Sequence, residues 1–118
     1  MYFKQETGKY GEFLAYNYLI KNNFKILDKN FTCKRGEIDI IAFSPYQELV
    51  FIEVKTRRNL KYGFPSESIT KNKINHIFLS SKYYIYFNKL NNYNVRYDVI
   101  EIYLYNNTYK INHIKNAF

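Results

Sequence analysis

Two apolar segments joined by a short polar connection constrain the fold of this chain more than any other feature. The first runs from Glu37 to Phe43 and the second from Leu49 to Lys55, with residues 44–48 between them. Both segments are rich in β-branched and aromatic residues, which favour strands. A five-residue connection has a length that closes antiparallel hairpins. The sequence therefore predicts a β-hairpin across residues 37–55.

Centring the connection on Tyr46 fixes the register of this hairpin. One face is then wholly apolar, as a face against a core should be. Its predicted cross-strand pairs are Ile38 with Val54, Ile40 with Ile52, and Ala42 with Val50. The opposite face carries Ile41 with Phe51 near the turn, followed by Asp39 with Glu53 and Glu37 with Lys55. Three carboxylates and one amine therefore gather at the open end of the hairpin.

This charged cluster has the composition of a divalent-cation site. Opposed Cβ atoms lie roughly 4.5–5.5 Å apart, so Asp39 and Glu53 repel each other unless something neutralises them. Two convergent carboxylates suit Mg²⁺ or Mn²⁺, whereas zinc would favour histidine or cysteine. Lys55 projects from the same face as Glu53 and could hold or deprotonate a water, which suits phosphodiester hydrolysis. The simpler alternatives are a solvated salt-bridge cluster and a plain pair of Glu37 with Lys55.

Glu12 is a further candidate ligand, on a predicted first helix. It shares a helical row with Ala15 and Leu19, which aims its carboxylate toward the sheet. Gly8 and Gly11 cost helix stability but allow close approach of another backbone or a phosphate. A plain helix-surface acid is the alternative interpretation.

A basic segment follows the hairpin and predicts a loop over residues 57–65, which lack periodicity and include a glycine and a proline. Arg57, Arg58 and Lys61 could contact phosphates there or simply solvate the loop. The net charge of +8 would favour a polyanion. Lysine, asparagine, isoleucine and tyrosine are abundant together, however, as adenine- and thymine-rich coding would produce for any function. The charge alone therefore does not decide the partner.

The remaining segments complete a single domain over residues 1–118, which is long enough for one sizeable core. The other predicted elements are a helix from Thr7 to about Lys21, a short strand from Phe24 to Lys29, a helix capped by Ser66 or Ser68 and running to about Asn88, and strands from Val95 to Tyr105 and from Thr108 to Ile114. The predicted core positions of the helices are Tyr10, Phe13, Leu14, Tyr18, Leu19, Ile74, Ile77, Phe78, Tyr84 and Ile85.

Cysteine usage and hydropathy indicate which cellular compartment the protein occupies. Cys33 is the only cysteine, which excludes an intramolecular disulfide and a thiolate metal cluster and fits a reducing cytosol. No apolar run approaches the ~20 residues needed to cross a bilayer. We therefore expect a soluble cytoplasmic protein without a membrane partner.

Asp39, followed after fourteen positions by Glu53-Val54-Lys55, resembles the D…(D/E)xK signature of the restriction-endonuclease-like superfamily. The chain is more closely similar to one branch, the YraN-type family of small bacterial proteins. The segments that carry this resemblance are Gly11-Glu12, Gly36 to Ala42, Val50 to Arg57, Lys73, and Asn116-Ala117-Phe118. The resemblance covers nearly the whole chain.

This resemblance implies an α/β fold with a restriction-endonuclease-like core, in which a central mixed β-sheet is flanked by α-helices, as in archaeal Holliday-junction resolvases. It implies a cut in DNA that depends on Mg²⁺ or Mn²⁺. By the same resemblance Asp39, Glu53 and Glu12 would be metal ligands, and Lys55 the catalytic lysine. Lys73 would be an auxiliary phosphate contact. Glu37 stands where many superfamily nucleases have no acid.

The sequence therefore favours a metal-dependent endonuclease that acts on DNA, resolvase-like on branched DNA. A symmetric junction would call for a homodimer, but no segment identifies an interface. The alternative is a non-catalytic module on a nuclease scaffold that binds nucleic acid or another protein. A small-molecule enzyme is disfavoured because the chain lacks a phosphate-cradling glycine loop.

Overall fold

The computed structural model describes the backbone of residues 4–58 and 69–118, and the side chains from residue 8 onward within those ranges. Its elements are α1 (Lys4–Lys21), β1 (Lys25–Cys33), β2 (Gly36–Phe43), β3 (Leu49–Arg57), α2 (Lys71–Phe87), β4 (Val95–Tyr105) and β5 (Thr108–Ile114). Within these ranges the strands form one five-stranded sheet in sequence order. Neighbouring strands are antiparallel except for the parallel pair β3–β4. This confirms the predicted α/β fold, a mixed sheet flanked by helices.

The sheet separates two apolar layers, because successive side chains of a strand point to opposite faces. The layer under α1 is built around Leu14, Ala15, Leu19, Ile40, Ala42, Val50, Ile52, Ile100 and Ile102. The layer under α2 is built around Ile38, Ile41, Leu49, Phe51 and Tyr84. The helices thus cover opposite faces, α1 chiefly over β3 and α2 chiefly over β2.

The strand predictions are largely confirmed. β4 and β5 have the predicted bounds, and both residues of their turn, Asn106 and Asn107, have the positive φ that a tight hairpin turn requires. β1 continues to Cys33, beyond its predicted end, because Phe31 pairs with Ile38 and its ring packs against Tyr84, with the ring centroids 5.0 Å apart. β3 continues to Arg57, which therefore belongs to the strand and not to the predicted loop.

The predicted helix starts were wrong. α2 begins at Lys71, and its cap is Thr70, whose hydroxyl accepts the Lys73 N–H at 3.1 Å. It is therefore not capped by either serine proposed from the sequence. α1 begins at Lys4, so Thr7 lies within its first turn. No helix of the described residues is long and apolar enough to cross a membrane.

The buried stripe of α1 is narrower than predicted. It consists of Gly11, Leu14, Ala15, Tyr18 and Leu19, at the spacing of one helical face. Tyr10 and Phe13, which were predicted to face the core, are 44% and 60% exposed. A β-carbon at Gly11 would lie 2.9 Å from the Cβ of Thr56 on β3. The Thr56 side chain therefore fills the space that a β-carbon at position 11 would need.

A buried charge network fastens the other end of α1 to the sheet. Asp98, which is fully buried, accepts hydrogen bonds of 3.0 and 2.9 Å from Arg96 and lies 2.7 Å from His113 Nε2. Tyr18 contacts His113 Nδ1 at 3.0 Å, and Arg96 reaches Glu48 at 2.6 Å. Burial alone would raise the pKa of Asp98, but the bonds from His113 and Arg96 hold it below its ordinary value. The network is a satisfied structural element.

Replacing Gly11 with alanine is expected to lower the free energy of unfolding by about 1–3 kcal/mol, because overpacking a close contact costs roughly that much. Gly8 is the matched control, since a methyl group added there would meet open space. Gly8→Ala should raise the free energy of unfolding by up to about 1 kcal/mol through helix propensity. Urea unfolding followed by circular dichroism measures both changes. Equal effects of the two substitutions would contradict the close packing of α1 on β3.

Candidate active site

The predicted hairpin register is confirmed near the turn and ends where the candidate site begins. The paired residues of β2 and β3 are Phe43 with Leu49, Ala42 with Val50, Ile41 with Phe51, and Ile40 with Ile52. The ladder does not continue to Asp39 and Glu53. Instead, the Val54 N–H donates to Asp39 Oδ2 at 2.8 Å. A side-chain carboxylate thus takes the place of a backbone acceptor, and the strands separate at this point.

This separation corrects two predictions. Strict alternation would place Ile38 with Ile40 under α1, but Ile38 lies with Ile41 in the layer under α2. The predicted pairing of Glu37 with Lys55 is also wrong. Glu37 is exposed and pairs with Thr32 of β1, whereas Lys55 stands beside Glu101 of β4.

Asp39 and Glu53 nevertheless come together as predicted, in the interior and not on a solvated sheet end. Asp39 is 9% exposed and Glu53 is 5% exposed. Burial, followed by the hydrogen-bonding contact and negative charge of Glu53, raises the pKa of Asp39 from 3.8 to about 8, although the Val54 N–H opposes this. At neutral pH the metal-free pair therefore holds one proton.

Glu53 also meets Lys73, from α2. Glu53 Oε2 lies 3.2 Å from Lys73 Nζ, within ion-pair distance, but the atoms lack hydrogen-bonding geometry. Oε2 is therefore a buried acceptor with no hydrogen-bond donor. Burial alone would lower the pKa of Lys73, but the carboxylates of Glu53 and Asp39 raise it. The Lys73 side chain remains 35% exposed.

Glu12 lies on the other side of Asp39. Both residues line a cleft of about 370 Å³ between α1 and the sheet. Burial, then the charges of Asp39 and Glu37, raise the pKa of Glu12, while a hydrogen bond from the Asn30 side chain opposes that rise. The predicted orientation of Glu12 toward the sheet is therefore confirmed.

Asn30 is a site residue that the sequence interpretation missed. It lies in β1 with a φ of 54°, in the left-handed region that asparagine adopts more readily than most residues. This conformation holds its amide against Glu12. The only local signal is the residue type, which is common throughout this chain.

The donor set fits a hard divalent cation. In the described part of the chain, no three acidic, histidine or cysteine side chains lie close enough to hold an ion by themselves. Mg²⁺ commonly takes one or two carboxylates and completes its shell with waters and substrate phosphates. Asp39 and Glu53 match that need, and Oε2 of Glu53 accepts no hydrogen bond that a cation would have to replace. Glu12 lies across the cleft from Asp39.

Most of the basic residues predicted to act on or contact the phosphate lie along the carboxyl end of β3 and just beyond it. β3 and β4 stay in register through Glu53, Lys55 and Arg57, so these three side chains project from one face. Lys55 and Arg57 are half-buried, whereas Arg58 is exposed just beyond the strand. Lys61 and the rest of the predicted loop after Arg58 fall outside the described residues.

Comparison with known proteins identifies the family. Residues 11–102 match the model described as "Uncharacterised protein family UPF0102". The chain belongs to this family. UPF0102 proteins of Clostridium botulinum (strain Alaska E43 / Type E3) and Clostridioides difficile (strain 630) are 52% and 49% identical to it. The matches cover 98% and 97% of this chain and 96% and 97% of those proteins. The YraN-type resemblance seen in the sequence is thereby confirmed.

One solved structure is also similar at a lower level. It is the crystal structure of a repair endonuclease from Pyrococcus abyssi, with 17% identity and a TM-score of 0.43. The match covers 91% of the UPF0102 chain and 41% of the other chain. A likeness at this level carries no argument about what the UPF0102 chain does.

The Asp39 proton makes stability depend on pH. The pKa of Asp39 is about 8 in the folded protein and ordinarily 3.8, so the folded protein binds one more proton across that range. The contribution of this proton to stability is fully present below about pH 4 and is lost as pH rises, by up to about 1.4 kcal/mol per pH unit. Asp39→Asn keeps an oxygen for the Val54 N–H and removes the titration. Wild type should therefore lose stability relative to this variant between about pH 5 and pH 8.

Urea unfolding in EDTA at several pH values measures this difference. Glu37→Gln is the matched control, because it removes an exposed carboxylate two residues away. It should keep the fall in stability between about pH 5 and pH 8, because Asp39 still titrates in this variant. Parallel stability curves for wild type and Asp39→Asn would show that Asp39 is not protonated in the folded state.

Proposed function

We propose that this chain is a metal-dependent endonuclease that hydrolyses DNA phosphodiester bonds with Mg²⁺ or Mn²⁺. The observation that carries the proposal is the buried pair Asp39 and Glu53, in which one carboxyl has a strongly raised pKa and the other has a buried oxygen that accepts no hydrogen bond. Such a pair is costly for folding alone, and perturbed carboxyls of this kind concentrate at functional sites. A cation between them would relieve both costs.

The position of the pair supports substrate access. Glu53 is the middle residue of β3, which runs parallel to β4, and Lys55 follows it on the same face toward the carboxyl end of the strand. Ligands of α/β sheets bind beyond the carboxyl ends of the parallel strands. Asp39 and Glu53 would hold the cation, with Glu12 in support from α1. The bound cation would activate a water and neutralise charge developing on the phosphate.

The lysines have distinct proposed roles. Lys55 would hold or deprotonate the attacking water, since it projects beside Glu53. No described carboxylate forms an ion pair with Lys55. Lys73 offsets the charge of Glu53 in the metal-free protein. Its side chain is partly exposed, so the amine could turn to a substrate phosphate once a cation offsets the charge of Glu53 in its place.

DNA is the proposed partner because the basic groups lie next to the carboxylates. Arg57 ends β3 two residues after Lys55, and Arg58 and Lys61 follow it in the sequence. Contacts of this kind position a phosphate backbone without reading its sequence. Branched DNA is the substrate we propose first, as for a resolvase. A symmetric junction would then be cut by a homodimer, in the cytoplasm where chromosomal DNA lies.

The ion pair of Lys73 with Glu53 favours a second candidate function. It offsets one carboxylate charge without any cation. A module that binds nucleic acid or a protein and performs no catalysis could retain the site in this form. Affinity for its partner would then not depend on Mg²⁺ or on Asp39.

Purified protein with labelled branched, linear duplex and single-stranded DNA tests these candidates, with and without Mg²⁺ or Mn²⁺. We expect cation-dependent cleavage that falls at least about 100-fold in Asp39→Asn and in Lys55→Ala, the loss typical when an acid–base group is removed. Lys82→Ala is the matched control, because Lys82 is exposed on α2 nine residues from Lys73. It should cleave like wild type.

Calorimetric titration with Mn²⁺ gives a readout independent of cleavage. Wild type should bind the ion, and Asp39→Asn should bind it at least about 10-fold more weakly, as expected when a direct ligand is lost. DNA binding that is indifferent to Mg²⁺, to Mn²⁺ and to Asp39→Asn, without cleavage of any substrate, would overturn the enzyme and favour the binding module.

A further inference from the structure

The cleft beside Asp39 has features that holding a cation does not require. Two carboxylates line it, the buried Asp39 and the half-buried Glu12. Two lysines, Lys9 and Lys29, also line it, and both are exposed. The amines therefore stand at the mouth of a cleft whose interior is acidic. With a cation bound inside, the cleft would carry a net positive charge suited to a phosphodiester.

Two aromatic rings form another part of the cleft wall. Phe13 is 60% exposed although it is wholly apolar. Tyr16 is half-buried, and Lys29 Nζ lies 4.3 Å from its ring centroid. Aromatic rings interleaved with lysines are the pattern by which proteins bind unpaired nucleotides, since any base can stack on a ring.

The cleft is built into the fold and does not depend on a moving segment. Gly11 packs α1 against Thr56, which fixes the helix beside the sheet. Lys29 pairs with Ile40 in the β1–β2 ladder, and Asn30 follows in its left-handed conformation. The walls are therefore held in place before any ligand binds, which lowers the entropy cost of binding.

We propose that this cleft binds one unpaired nucleotide adjacent to the phosphate that is cut, so that the substrate is DNA with an unpaired nucleotide at the cleavage position. This inference rests on the proposed function. A volume of about 370 Å³ is at the small end of ligand sites, suitable for one nucleotide but not for a base pair within a duplex. The base stacks on Phe13, and Lys9 and Lys29 contact its phosphates.

The test compares two DNA probes of the same sequence, a fork with 2-aminopurine as the unpaired nucleotide at the branch and its fully paired duplex. Binding is measured by fluorescence in Ca²⁺, under conditions in which no product forms. Wild type should bind the fork more tightly and change its 2-aminopurine emission. Phe13→Ala should weaken fork binding about 10-fold, within the range found for one stacked base, and leave duplex binding unchanged.

Matched variants separate stacking from general surface effects. Phe13→Tyr keeps a ring and should restore wild-type fork binding. Phe87→Ala removes an exposed phenylalanine at the far end of α2 and should change neither probe. Lys29→Gln should lower the slope of log affinity against log salt by about one, as expected for one lost phosphate contact.

Different results would overturn the nucleotide cleft and the proposed nuclease function. If wild type cleaves DNA but binds both probes equally, or if Phe13→Ala binds the fork like wild type, the nucleotide cleft is overturned and the nuclease stands. If wild type neither binds nor cleaves any DNA with any cation, the proposed function is overturned and the cleft proposal with it.

Discussion

The hydrogen bond from the Val54 N–H to Asp39 is the interaction on which the site depends. It replaces the backbone pairing that would otherwise continue past Ile40 and Ile52, and so ends the β2–β3 ladder there. The same bond holds the Asp39 carboxyl inside the protein, next to Glu53. It also allows Ile38 to enter the layer under α2. One side-chain acceptor thus links the shape of the hairpin to the chemistry of the site.

Two buried aspartates of this sheet illustrate how surroundings decide the role of a carboxyl. Asp98 is met by Arg96, His113 and the Asn116 N–H, and its pKa is lowered. Asp39 faces another carboxyl with one backbone donor, and its pKa is raised to about 8. The first environment is satisfied and stabilises the packing of α1 and β5. The second leaves two adjacent carboxyls with few donors, an arrangement that concentrates at functional sites.

Strand periodicity explains what the sequence predicted well. The pairing of Ile40 with Ile52, the bounds of β4 and β5, and the proximity of Asp39 to Glu53 all follow from a period of two. The position of Ile38 does not follow from this period, because it depends on a hydrogen bond between Asp39 and the backbone of another strand.

The sequence contained a signal for the Asp98 network that was missed. Arg96 and Asp98 alternate in phase with Ile100 and Ile102, which places both charges on a core face. Thr70 was missed as a cap because two earlier serines suited that role equally well.

What neutralises Glu53 distinguishes the two candidate functions physically. Lys73 does so in the metal-free protein, where its side chain is 35% exposed and its amine makes no hydrogen bond to Glu53 Oε2. A cation held by the pair would also have to displace the proton of Asp39. Under the proposed function, cation binding and proton release would therefore be coupled in this site. A carboxyl pair that served only to bind a partner would gain nothing from that coupling, since lysine and proton already balance its charge.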